Sequence, residues 1–87
     1  MIKQVYAIYD TKSDVYLLPQ FLKTDAEAIR LFSDCVNDPQ GNNVSKHPED
    51  YVLFHIGEYD DSKGALLPNE CPKNLGVAVE FVSKDAA

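Results

Sequence analysis

One segment of the chain has a helical pattern with a clear beginning and end. Thr24 and Glu27 are spaced as a capping box, in which the threonine hydroxyl accepts from the Glu27 amide and the glutamate reaches back to the Thr24 amide. Apolar side chains then recur at i, i+3, i+4 and i+7, and Pro39 ends the pattern because it pushes the preceding residue out of the α region. The apolar positions are Ala28, Leu31, Phe32 and Cys35. We therefore predict a helix at about Asp25–Val36 whose apolar stripe packs against a sheet.

Strand patterns flank this helix on both sides. Residues 2–9 are rich in Val, Ile and Tyr, and after a polar turn residues 15–18 should return antiparallel, with Pro19 limiting their pairing. Residues 51–59 form the strongest strand pattern, a second hairpin follows it, and residues 77–81 alternate as a further C-terminal strand. Residues 39–48 have the composition of a mobile loop. The predicted fold is α+β: an antiparallel four- to five-stranded sheet with one helix packed on one face, in the order β-β-α-β-β plus a C-terminal strand.

The strand at residues 51–59 is apolar on both of its faces. Alternation places one set of three side chains on one face and a second set on the other. One helix covers one face of a sheet, so the other face needs a different partner. This predicts a homo-oligomer, most simply a homodimer. The two sets are Val52, Phe54 and Ile56, and Tyr51, Leu53 and His55.

Length and charge set further limits. A chain of 87 residues and 9.7 kDa is expected to form a single domain over residues 1–87. A net charge of -6 argues against strong, nonspecific nucleic-acid binding, because such binding needs a basic surface. No apolar run approaches the length of a membrane span, which predicts residence in a cytosol. Cys35 and Cys71 lie far apart in sequence, which favours two free thiols over a disulfide.

The sequence contains no recognisable catalytic or metal-binding pattern. Its two histidines, His47 and His55, have no cysteine or carboxylate partners at a metal-ligand spacing, and its four glycines are scattered instead of forming a phosphate loop. We therefore expect no enzymatic activity, no catalytic residues, no metal and no cofactor.

Three sequence blocks resemble a known viral family. They are Phe-x-Asp-x-Val-Asn-Asp at residues 32–38, Lys-His-Pro-Glu-Asp-Tyr at residues 46–51 and Gly-Glu-Tyr-Asp at residues 57–60. In content and order they resemble the small nonstructural protein of gokushoviruses, the isometric single-stranded-DNA Microviridae of bacteria, a protein described as DNA-binding. Together with Tyr-Ala-Ile-Tyr-Asp at residues 6–10 and with Phe21, these blocks extend the resemblance over about residues 5 to 68, and the tail beyond Pro68 lies outside it.

The resemblance implies a nonstructural phage protein that acts in the host bacterial cytoplasm, in replication or packaging of a single-stranded DNA genome. It would act through weak binding of single-stranded DNA, or alternatively as an acidic adaptor that contacts phage replication or packaging proteins without touching DNA. The candidate DNA-binding residues are Arg30 on the solvent side of the helix, the adjacent basic pair Lys46 and His47, and Tyr51 as a stacking ring. The basic pair also suits a simple turn that leads into a strand.

Overall fold

The structure, a computed structural model, describes residues 1–83. It confirms the predicted α+β architecture, an antiparallel five-stranded sheet with one main helix on one face. Two 3-10 turns, Pro48–Asp50 and Ala78–Phe81, complete the described chain. In chain order the other elements are β1 (Ile2–Asp10), β2 (Val15–Tyr16), β3 (Gln20–Leu22), α1 (Asp25–Val36), α2 (Asn43–Lys46), β4 (Tyr51–Asp60) and β5 (Ala65–Val77).

The sheet has the order β2-β1-β4-β5, and β3 also pairs with β1. Since β4 occupies one edge of β1, both β2 and β3 lie on its other edge, as two pieces of a strand that is interrupted at Pro19. The pairing of β1 with β4 shifts between Val5, opposite Gly57, and Tyr6, opposite His55. Ile56 is therefore an extra residue in β4, and the sheet bends at this bulge.

Helix α1 has the predicted bounds and buries one stripe against the sheet. The Thr24 hydroxyl accepts from the Glu27 amide at 3.2 Å, which is one of the two bonds of the predicted capping box. The reciprocal bond, from the Thr24 amide to the Glu27 side chain, is absent among the described residues. Leu31, which the pattern placed in the buried stripe, is 45% exposed at the margin between helix and sheet. The core cluster consists of Tyr6, Ala28, Phe32, Val36, Val44, Tyr51, Leu53 and Ala78.

The prediction of a mobile loop at residues 39–48 was wrong. The segment contains helix α2, which begins with a capping box of its own: Asn42 Oδ1 accepts from the Ser45 amide at 2.9 Å, and Ser45 Oγ accepts from the Asn42 amide at 2.8 Å. Val44 then packs into the core. These local bonds and one buried side chain stabilise a helical turn that composition alone did not indicate.

The prediction of a strand at residues 77–81 was also wrong, because β5 ends at Val77 and a 3-10 turn follows. Gly76 has a φ of +140°, and a Cβ there would lie 2.8 Å from the Phe81 ring, so this turn requires glycine. Ala78 is fully buried, and Phe81 meets Phe32 edge-on with ring centroids 5.7 Å apart. The tail therefore turns in beneath the helix instead of extending the sheet.

The cysteines and the lengths of the helices also bear on the predictions made from the sequence. Cys35 and Cys71 are both free thiols, as expected. Within residues 1–83, no helix combines the length and apolarity that a membrane crossing requires.

Candidate functional site

The sheet has one face covered by α1 and one face without a helix. Tyr6 and Ile8 of β1 pack with the helix in the core, so alternation directs Val5 and Tyr9 to the opposite side. We call that side the helix-free face. Large apolar and aromatic side chains from every strand meet there: Val5 and Tyr9 of β1, Tyr16 of β2, Phe21 of β3, Phe54 and Tyr59 of β4, and Leu66 and Pro68 of β5.

Aromatic rings form two clusters on the helix-free face. At one end Tyr9 contacts Tyr16 at a centroid distance of 4.7 Å, and Phe54 lies 6.2 Å from Tyr9 and 5.8 Å from Tyr16. At the other end Phe21 and Tyr59 meet edge-on at 5.3 Å. Tyr16 and Phe21 remain 46% and 44% exposed. Edge-on contacts therefore hold the rings in place while much of their surface stays open to solvent.

An apolar groove of about 270 Å³ lies beside the second aromatic cluster, with Val5, Phe21, Ile56 and Pro68 among its lining residues. Its floor includes Gly57, where an added Cβ would lie 2.6 Å from the carbonyl oxygen of Leu67. Glycine is thus required for the backbone of β5 to approach β4 this closely. The groove makes this end of the helix-free face concave and apolar.

Charged groups on the helix-free face sit at its two ends. Lys3 lies opposite Tyr59 across the β1–β4 pair, at the end where Lys63 occupies the β4–β5 turn. At the other end the Tyr9 hydroxyl donates to the Asp14 carboxylate, in the turn that also carries Lys12. Among the described residues, none of these three lysines forms an ion pair. Lys3 is therefore open to an anionic ligand on this face, whereas Lys12 and Lys63 lie in the turns at its two ends, close in sequence to acidic residues: Asp10, Asp14, Asp60 and Asp61.

A hydrogen-bonded chain links the core to the surface on the opposite, helix-covered side. The buried Tyr6 hydroxyl donates to Asp25 Oδ1 at 2.7 Å, and Lys73 Nζ donates to Asp25 Oδ2 at 3.1 Å. The bond from Tyr6, followed by the Lys73 ammonium, lowers the pKa of Asp25. Burial and the Asp25 carboxylate together raise the pKa of Tyr6 well above its ordinary value. This chain fixes the first turn of α1 on the sheet.

His55 is held by polar partners on both of its ring nitrogens. The Asn69 amide donates to the His55 carbonyl and to Nδ1, each at 3.0 Å, so the ring proton lies on Nε2 and is donated to Gln4 Oε1 at 2.7 Å. The Gln4 amide in turn lies 3.4 Å from Glu58 Oε2. The network satisfies His55 as a structural sheet histidine.

The structure does not bring the four sequence-predicted residues together in one surface. Arg30 is exposed on α1, whereas Lys46 and His47 are exposed at the end of α2, and no described contact joins them to Arg30. Tyr51 is 8% exposed and belongs to the core cluster, and burial raises its pKa. Its ring is therefore closed to a stacking base in this conformation.

One group of side chains near α2 has the composition of a metal site. Potential ligand atoms of His47, Glu49 and Asp50 lie within 4.8 Å of one another. All three residues are exposed or half-exposed, and exposed acidic groups commonly occur without an ion. The group supports no metal function by itself, and the absence of a metal stays a prediction.

Comparison with known proteins places the chain in a family. No curated protein matches the chain, and no solved structure does. The family model described as Phage ORF5 protein matches residues 3–81, which is most of the chain. This chain is a member of the Phage ORF5 protein family.

Proposed function

We propose that this phage protein acts in replication or packaging of a single-stranded DNA genome, by holding single-stranded DNA weakly on the helix-free face. Membership of the Phage ORF5 family supports a phage protein, and the genome-related role is what the resemblance to a gokushovirus nonstructural protein implies. The observation that carries the mode of binding is the set of partly exposed rings on that face, above all Tyr16 and Phe21.

Stacking suits an acidic protein because it needs no positive charge. Each base stacked on an aromatic side chain contributes about 1–3 kcal/mol, whatever its identity. Two ring clusters, one near each end of the face, offer more than one stacking position to an extended strand. A duplex conceals its base faces, so the same surface should discriminate against double-stranded DNA.

Electrostatic attraction contributes little in this arrangement. With Lys3, Lys12 and Lys63 as the phosphate-contacting cations, at most three phosphates are neutralised, so the logarithm of the binding constant should fall with the logarithm of salt concentration at a slope of about -2. The rest of the binding free energy comes from stacking and persists at high salt.

The earlier candidates Arg30, Lys46 and His47 lie with the helices on the other side of the sheet. Helix α2 is tied to α1 by the Asn42 amide, which donates to the Cys35 carbonyl at 2.9 Å. DNA bound to this basic pair would therefore follow the helical layer and not the rings. The two surfaces can be tested separately.

The experiment is a fluorescence anisotropy titration of a labelled oligothymidylate at low salt, repeated over a salt series. Tyr16→Ala and Phe21→Ala should each weaken binding about fivefold or more, the equivalent of ~1 kcal/mol per lost stacking contact. Leu31→Ala is the matched control, since Leu31 is similarly exposed, at 45%, but belongs to helix α1 on the other side of the sheet. Equal binding by all three variants and the parent would exclude stacking on this face.

A second candidate function is the adaptor role, in which the same face contacts a phage protein and not DNA. The observation that favours it is the apolar groove between Phe21 and Pro68, combined with a net charge of -6. Absence of oligothymidylate binding at low salt, together with direct binding of a purified phage replication or procapsid protein that Phe21→Ala weakens, would support the adaptor over the DNA-binding role.

A further inference from the structure

We propose that in the free protein the helix-free face is covered by a second copy of this chain, in a two-fold dimer that single-stranded DNA must displace. The inference concerns the site of the proposed function and rests on it for the competition with DNA. The dimer itself is inferred from four features of the sheet: its exposed apolar surface, the area of its helix-free face, the prolines in its edge strands and the charges at its two ends.

The exposed apolar surface is large for a single small domain. Besides Tyr16 and Phe21, Leu66 is 64% exposed on the same face. The molecule measures 48 × 24 × 19 Å with a radius of gyration of 13.6 Å, whereas a compact domain of this length has about 12 Å. The sheet therefore extends beyond what α1 covers and leaves apolar side chains in water.

The area of this face matches what a stable dimer needs. The ten residues of β4 extend about 33 Å, and four neighbouring strand positions span about 19 Å, which gives a face of about 600 Å² per copy. Two such faces together bury about 1,200 Å², the lower end of the range for specific interfaces. We therefore expect association in the micromolar range and not an obligate dimer.

Pairing of sheet edges is a poor alternative route to self-association. Pro19 interrupts the edge formed by β2 and β3, and Pro68 and Pro72 lie in the other edge strand, β5. Proline cannot donate to a strand ladder, so both edges are protected against a continuous intermolecular sheet. Packing of one helix-free face against another is therefore the remaining route to self-association.

Charge also fits a two-fold contact between faces. A two-fold axis that lies in the plane of the contact, perpendicular to the strands, brings the two helix-free faces together with their strand directions reversed. The Lys3 end of one copy then lies over the Asp14 end of the other. Each dimer then contains two Lys3–Asp14 pairs at the rim of the apolar contact. Such exposed pairs set the register and weaken as salt rises.

The test is sedimentation equilibrium of the full chain over a concentration series into the high micromolar range, with and without oligothymidylate. The parent should shift from about one to two chain masses, and Leu66→Glu should weaken association at least about tenfold. Val79→Glu is the matched control, because Val79 is 51% exposed but lies in the 3-10 turn away from this face. Lys3→Glu should weaken association at low salt and much less at high salt.

Each result separates the two proposals. A parent that stays monomeric at every concentration, or a dimer that Val79→Glu disrupts and Leu66→Glu does not, overturns the inference. A dimer that persists unchanged when oligothymidylate binds overturns the competition. A dimer that Leu66→Glu dissociates, in a protein that binds no oligothymidylate at low salt, supports the interface and refutes the DNA-binding function alone.

Discussion

Replacing Tyr6 by phenylalanine tests whether the chain from the core to Asp25 stabilises the fold. The change removes one hydroxyl from a residue that is 2% exposed and leaves the ring in place. A hydrogen bond to a charged acceptor contributes about 1.5–3 kcal/mol to the free energy of unfolding. The lower end applies here because the Asp25 side chain is 39% exposed, so water can replace the lost Tyr6 hydroxyl as its hydrogen-bond donor. We expect a loss of about 1.5 kcal/mol in the free energy of unfolding, and a fall of about 6–12 °C in Tm.

The pH dependence of this loss follows from the carboxylate. The pKa of Asp25 is lowered in the folded protein, so its stabilising contribution is complete above its ordinary pKa of 3.8 and disappears as pH falls through the lower folded value. The difference between the parent and Tyr6→Phe should therefore be full at neutral pH and shrink below about pH 4.

Thermal unfolding followed by circular dichroism, at neutral and acid pH, measures both effects. Tyr16→Phe is the control, since this exposed hydroxyl has no hydrogen bond among the described residues and its removal should leave Tm unchanged. If Tyr6→Phe unfolds at the parent's temperature at neutral pH, or its deficit does not change on acidification, the 2.7 Å bond to Asp25 does not stabilise the fold as argued.

Two further substitutions test the close approach of β5 and the helix-side cations. Gly57→Ala places a Cβ 2.6 Å from the Leu67 carbonyl oxygen and should lower the free energy of unfolding by about 2–3 kcal/mol, measured by chemical denaturation. Gly64 has a φ of +63° but open space around it, so Gly64→Ala should lower the free energy of unfolding by only about 1 kcal/mol. A similar loss in both would show that β4 and β5 separate easily. Lys46→Glu should leave the fold intact, and if DNA follows the helical layer it weakens oligothymidylate binding and flattens the salt slope. Parent-like binding by this variant would leave the rings as the contact surface.

Most of the architecture was predictable because its signals are local. The cap at Thr24 and the stop at Pro39 define α1, and alternation over residues 51–59 defines β4. The errors arose where contacts between residues distant in sequence determine the local structure. Val77, Val79 and Phe81 alternate as a strand would, but the burial of Ala78 and the packing of Phe81 against Phe32 make this segment a 3-10 turn. The Asn42–Ser45 cap of α2 was a local signal, and a search for Asn-x-x-Ser as well as Thr-x-x-Glu would have found it.

The candidate site was less predictable than the fold, because strand alternation separates two faces without saying which one the helix covers. Tyr51 was chosen as a stacking residue, yet it shares the helix-covered face with Leu53 and lies in the core. Phe54, on the other face, joins the exposed rings. Phe54 and Tyr59 are five residues apart and would lie on opposite faces of a regular strand. The bulge at Ile56, for which the sequence carries no signal, puts both on the helix-free face, Phe54 near Tyr9 and Tyr59 near Phe21.

The acidic charge of the protein is best understood together with its bare sheet face. A helix of 12 residues is about 18 Å long and covers one side of the sheet, so a domain of this size leaves the other side in water. An exposed apolar face of this kind promotes indiscriminate aggregation unless the molecules repel one another. A net charge of -6 supplies that repulsion and limits association to contacts with a specific geometry. The charge that argues against a basic DNA-binding surface is therefore also the property that restricts association through the apolar helix-free face to partners of matching shape.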